Sequence, residues 1–96
     1  MSWVLEIRKE DMSVAERINV NDGVLTLGRS DCDINLSDIK VSKHHCSFYL
    51  HGGQFSIVDN SSSNGTYVNG RRIDKRDLRS GDIIIVGSTS IKAIDE

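Results

Sequence analysis

A chain of 96 residues has room for one hydrophobic core and no second domain, because the fraction of surface that can be buried falls as chains shorten. With 12 basic and 14 acidic side chains the formal charge is −2, which argues against a broad basic surface for nucleic acid and requires any bound anion to be held locally. No apolar run approaches a bilayer span and residues 1–9 lack a signal-peptide core, so a soluble intracellular protein with no membrane partner is expected.

The run Trp3-Val4-Leu5-Glu6-Ile7-Arg8 alternates from Leu5 onward and predicts the opening strand. Residues 10–17 have some helical propensity, but Ile18-Asn19-Val20 alternates and Asn21-Asp22-Gly23 follows as a strong turn. A hairpin into Val24-Leu25-Thr26-Leu27 is the better reading. Short apolar runs then recur at residues 34–36, 46–50, 55–58, 67–68, 83–86 and 91–94, separated by turn formers such as His51-Gly52-Gly53, Asn69-Gly70 and Ser80-Gly81-Asp82. That spacing, without a long stretch of helical period, predicts an all-β sandwich or barrel, with hairpin corners at His51-Gly52-Gly53 and Asn69-Gly70. Cys32 and Cys46 are too far apart for a Cys-x-x-Cys metal pair. No metal and no cofactor are expected, and two free thiols are favoured over a disulfide.

Three polar turns carry candidate chemistry. Arg29 leaves the strand of residues 24–27 through Gly28, and its planar fork can donate twice to a phosphate. Read alone, it is more often a solvated surface arginine. Ser42 and Lys43 stand just before a strand starting near His44, where a hydroxyl and an ammonium can add donors, although a serine there also suits an ordinary turn. His45 and Phe48 would face opposite sides of the strand unless there is a bulge near Cys46 or Ser47. His45 reads as a buried, hydrogen-bonded support and His44 as exposed. In Ser61-Ser62-Ser63-Asn64-Gly65-Thr66, Asn64 can pair with an extended peptide's main chain, or simply form an Asn-Gly turn with Gly65.

Taken in order, these motifs resemble the forkhead-associated (FHA) domain. The matching pattern is Leu27-Gly28-Arg29-Ser30 with Asp31-Cys32-Asp33-Ile34, then Val41-Ser42-Lys43-His44-His45, then residues 60–70, then Leu78, Gly81-Asp82-Ile83 and Val86-Gly87. The resemblance implies an FHA-type β-sandwich of about eleven strands with its ligand site on loops at one end. It further implies that Arg29, Ser42 and Ser63 contact the phosphate of a phosphothreonine, and that Lys43, Asn64 and His44 meet the peptide. Gly28, His45, Gly65 and Thr66 match positions that shape the loops. Residues 60–62 and 87–90 fall where the family reads the flank after the phosphothreonine.

The expected function is a noncatalytic module that binds a phosphothreonine-containing protein or peptide in signalling. Homodimerisation on the same scaffold is the alternative. An enzyme built on Cys46 with His44 and His45 is disfavoured, because neighbours on a strand point apart and no orienting acid is evident. The whole of residues 1–96 reads as one such module, able to stand at the N-terminus of a longer protein. Family precedent alone favours a nuclear, DNA-damage setting over a bacterial cytoplasm.

Overall fold

The structure is a computed structural model in which residues 2–8 and 14–96 are described, with the backbone only for Val14 and Ala15. Its strands are β1 (Trp3–Arg8), β2 (Val14–Asn19), β3 (Gly23–Gly28), β4 (Ile34–Asn35), β5 (Cys46–His51), β6 (Gln54–Asp59), β7 (Thr66–Val68), β8 (Arg71–Ile73), β9 (Lys75–Asp77), β10 (Ile83–Val86) and β11 (Thr89–Asp95). They form a six-stranded sheet in the order β2-β1-β11-β10-β7-β8 and a five-stranded sheet in the order β4-β3-β5-β6-β9. The all-β sandwich expected from the sequence is therefore present. No helix among the described residues is long and apolar enough to cross a membrane.

Alternation builds the core between the sheets. β1 turns Trp3, Leu5 and Ile7 inward, β10 and β11 add Ile84, Val86, Ile91 and Ala93, and the facing sheet supplies Leu27, Phe48, Leu50, Phe55 and Ile57, all buried. The Phe55 ring centroid lies 4.9 Å from that of Trp3 and 5.6 Å from that of Phe48, so one aromatic group ties the two layers together. Trp3 Nε1–H donates to the Gly53 carbonyl at 3.2 Å. Beside it, the backbone N–H groups of Ser2 and Glu96 each donate to the other's carbonyl at 2.7 Å. Antiparallel pairing of Leu27 with Cys46 and of Trp3 with Asp95 puts these groups at the opposite end from the loops that leave β3 and enter β5 and β7.

Both expected hairpin corners form. Gly52 and Gly53 have φ of 57° and 81°, and Asn69 and Gly70 have 50° and 82°, the left-handed pairs that match strand twist in two-residue turns. The Asn21-Asp22-Gly23 turn departs from expectation. It does not fold residues 18–20 onto residues 24–27, because β2 pairs with β1 whereas β3 pairs with β4 and β5. Val20 is buried and its N–H donates to the Trp3 carbonyl at 2.9 Å, which extends the β1 pairing before the exposed turn carries the chain to the other sheet. The helical alternative for residues 10–17 falls partly outside the described residues, and from Val14 onward the chain is strand. β8 and β9 were not anticipated, since their sequences Arg71-Arg72-Ile73 and Lys75-Arg76-Asp77 show no apolar run. They are sheet edges held by backbone pairing to β7 and β6.

Candidate functional site

Gly28 ends β3 where the backbone of the loop entering β5 crosses it. A Cβ at Gly28 would lie 2.0 Å from the Lys43 carbonyl oxygen and 2.9 Å from Cys32 Sγ, so a residue without a side chain is required for this approach. The close contact lets the Arg29 N–H be shared between the Ser42 and Lys43 carbonyls at 3.1 and 3.2 Å. Arg29 is thus fixed at its backbone while its side chain is exposed. The guanidinium has one long contact, from Nη1 to the Val41 carbonyl at 3.5 Å, and forms no ion pair among the described residues.

His45 is fully buried between two loops. The Ser42 N–H lies 3.0 Å from Nδ1, and the Gly65 carbonyl lies 2.8 Å from Nε2. An amide can only donate and a carbonyl only accept, so Nδ1 must be unprotonated and Nε2 must carry the hydrogen. The imidazole is thereby a neutral strut. No bulge is needed to place it: β5 pairs with β3 and β6 without a register shift and begins at Cys46, so His45 is outside the regular strand and does not have to share a face with Phe48.

Further bonds join the same loops. The Ser63 N–H donates to Ser42 Oγ at 3.0 Å, and Asn64 Nδ2 donates to the Lys40 carbonyl at 2.8 Å. The first leaves the Ser42 hydroxyl proton for an outside acceptor, and the second leaves the Asn64 Oδ1 available to accept. Beneath them, Asp59 accepts from the Ser62 N–H at 3.1 Å, from the Ser62 hydroxyl, and from the Thr66 hydroxyl at 2.7 Å. Ser62 Oγ in turn accepts the Gly65 N–H at 3.0 Å. Gly65 takes φ of 87°, in the left-handed region that favours glycine.

The structure gathers Arg29, Ser42, Lys43, Ser63 and Asn64 around these struts, each exposed or partly so, whereas Gly28, His45, Gly65 and Thr66 are buried below them. Lys43 is only loosely paired, its Nζ 3.9 Å from Asp31 Oδ2. His44 is exposed and turned to one side, Nδ1 lying 3.5 Å from Cys32 Sγ. Asp59 and the Lys40 carbonyl were missed in the sequence, and Ser62, expected at the peptide flank, is instead buried with its hydroxyl bonded to Asp59 and Gly65. For Asp59 a signal existed: an aspartate three residues before a serine readily closes an Asx-type turn.

Burial acts on two groups differently. Burial first, then the Asp59 charge, pushes the Cys46 thiol up to about 12, so it is a protonated packing group at neutral pH and no thiolate nucleophile. Both cysteines are free. For Asp59, burial would raise the pKa, but hydrogen bonds from Ser62 and Thr66 outweigh it and hold the carboxyl below 3.8. A depressed native pKa means that the unfolded chain binds more protons in this range. The resulting stability is complete above pH 3.8 and is lost as pH falls through the native value. Asp59→Asn is expected to cost about 1–3 kcal/mol at pH 7 and to flatten the acid limb below pH 4. Denaturant midpoints measured from pH 2.5 to 7 test this, and an unchanged acid limb contradicts it.

Beside the site, residues 37–40 and 88–89 enclose a cleft of about 440 Å3 with Arg8 on its wall. Asp38 clasps its two sides by accepting from the Ser88 N–H at 2.8 Å, the Thr89 hydroxyl at 3.0 Å and the Lys40 N–H at 3.0 Å. These bonds overcome burial to hold its carboxyl below the usual value. Ile39 on the cleft wall is 91% exposed, as single apolar side chains on a protein surface often are.

Comparison with known proteins agrees with this architecture. The glycogen accumulation regulator GarA of Mycolicibacterium smegmatis is 38% identical over 84 residues, covering 86% of this chain and 53% of GarA. The chain thus spans about half the length of this curated relative. A structure solved for phosphothreonine-dependent FHA domain interactions superposes with a TM-score of 0.91 at 27% identity, covering 100% of this chain and 98% of the other. The FhaA FHA domain, solved in complex with the intracellular domain of Rv3910, gives 0.87 at 27% identity, covering 96% and 99%. GarA is bacterial and lends no support to the nuclear, DNA-damage setting. The FHA domain family model matches residues 25–87, the stretch that holds all three site loops, and the chain belongs to the forkhead-associated family.

Proposed function

We propose that this domain is a noncatalytic reader of phosphothreonine in an extended segment of a partner protein. The observation that carries the reading is the Ser63 N–H bond to Ser42 Oγ, which sets two hydroxyl residues side by side next to a guanidinium that has no ion-pair partner among the described residues. Arg29 supplies the paired donors and the fixed charge, while Ser42 and Ser63 donate hydroxyl hydrogens to the remaining oxygens. Lys43 adds a second cation, Asn64 meets the peptide main chain, and His44 lines the edge of the path. The flank after the phosphothreonine runs toward the cleft, where Ile39 and Lys40 face it.

The FHA domain solved for phosphothreonine-dependent interactions supports that ligand, and the FhaA complex with the intracellular domain of Rv3910 supports a protein partner. The bacterial origin of GarA favours a bacterial signalling partner over a nuclear one. Titration calorimetry with an oriented phosphothreonine peptide library, followed by single peptides in phosphothreonine, phosphoserine and threonine forms, tests the proposal. The threonine form is expected to bind at least about 100-fold more weakly, given the loss of several charge-assisted bonds. The phosphoserine form loses one buried methyl and is expected to bind about 4-fold more weakly. Equal affinity for the threonine and phosphothreonine forms overturns the reading.

A further inference from the structure

The sheet order gives the Asn64–Gly65 turn two different neighbours. β7 pairs with β10 on one side, Thr66 opposite Val86, and with β8 on the other, Thr66 opposite Ile73. Beyond β10 are Gly87 and Ser88 and the cleft. On the β8 side is Arg72, paired with Tyr67.

The Arg72 side chain lies over Gly65. A Cβ on Gly65 would sit 2.9 Å from Arg72 Nε, 3.2 Å from Cζ and 3.3 Å from Cδ, so the bare Cα makes room for the guanidinium. Gly65 is itself immobilised, its N–H held by Ser62 Oγ and its carbonyl by His45 Nε2. Arg72 is exposed and has no ion pair among the described residues. An exposed arginine is ordinary on its own. This one is seated on a rigid turn two residues from Ser63, with its charge unspent, which lowers the ordering cost of using it.

We infer that Arg72 is a specificity-determining residue that receives a second anionic group, a carboxylate or a phosphate, from the flank of the bound peptide turned away from the cleft. The inference rests on the phosphothreonine reading of the main site. Arg72 takes no part in holding the first phosphate; it ranks phosphopeptides by the charge beside it.

The test starts from one phosphothreonine peptide with alanine at the four positions on each side. Aspartate is placed at each position in turn, and affinities are measured for the parent protein, Arg72→Ala and Arg72→Glu. At one or two positions on a single flank, aspartate is expected to tighten binding to the parent protein about 3- to 10-fold, as a partly exposed charge pair does. A second phosphate there tightens it further. Arg72→Ala loses the gain but binds the alanine peptide as the parent does, and Arg72→Glu prefers lysine at the same position, an inversion that a merely structural role would not produce. No gain at any position, or a gain that survives Arg72→Ala or follows Lys40→Ala instead, overturns the inference and leaves the main reading standing. Failure of the parent protein to prefer the phosphorylated alanine peptide over its threonine form overturns both.

Discussion

Arg29→Ala is expected to weaken binding of a phosphothreonine peptide by about 2–5 kcal/mol, on the order of 30-fold to several thousand-fold, because it leaves a dianion without its paired donor. Stability should barely move. The Arg29 backbone N–H, which holds the loop through the Ser42 and Lys43 carbonyls, survives the substitution, and the guanidinium makes only the long contact to the Val41 carbonyl. An unfolding free energy within about 0.5 kcal/mol of the parent's is the expectation for an exposed side chain of this kind. Arg29→Lys restores charge but not the planar fork, so it should recover only part of the affinity. Calorimetry and denaturant unfolding on the three proteins decide the matter. Full affinity in Arg29→Ala would remove the residue from the site.

His45→Ala should act on both quantities. The imidazole is completely buried, and its loss opens a cavity while stranding the Ser42 N–H and the Gly65 carbonyl. About 2–5 kcal/mol of stability is at stake, by analogy with other large-to-small changes that also orphan buried polar groups. Affinity for phosphopeptide should fall as well, because Ser42 and Ser63 lose their common support. His45→Phe refills the volume without restoring either bond. If the strut rather than the packing is responsible, phenylalanine will recover some stability and little affinity. Denaturant midpoints that stay within experimental error for both variants would contradict the account.

Much of the architecture could be read from side-chain pattern. Alternation at Leu5 and Ile7 and the apolar runs of β5, β6, β10 and β11 marked strands that cross a core, and the two glycine-bearing corners marked the bends from β5 into β6 and from β7 into β8. Patterning failed where strands have no buried face of their own: Arg71-Arg72-Ile73 and Lys75-Arg76-Asp77 are strands because β7 and β6 offer them backbone partners. It failed again at Asn21-Asp22-Gly23, since a turn signal locates a bend without saying whether the chain stays in the same sheet. The site divides in the same way. Arg29, Ser42, Ser63 and Asn64 belong to local motifs and could be singled out, and His45 was correctly expected to be a buried support. Asp38 bonds residues about 50 positions away and Lys40 accepts from Asn64, and pairings at that separation leave no mark on a single sequence.

The reciprocal backbone bonds between Ser2 and Glu96 have a practical side. They bring the first and last described residues together beside the aromatic group, on the pole away from Arg29. A sensor chip or a fluorescent fusion attached through either residue therefore projects the recognition loops into solvent, and the same juxtaposition suits the domain to insertion between two segments of a host protein without blocking access to its ligand.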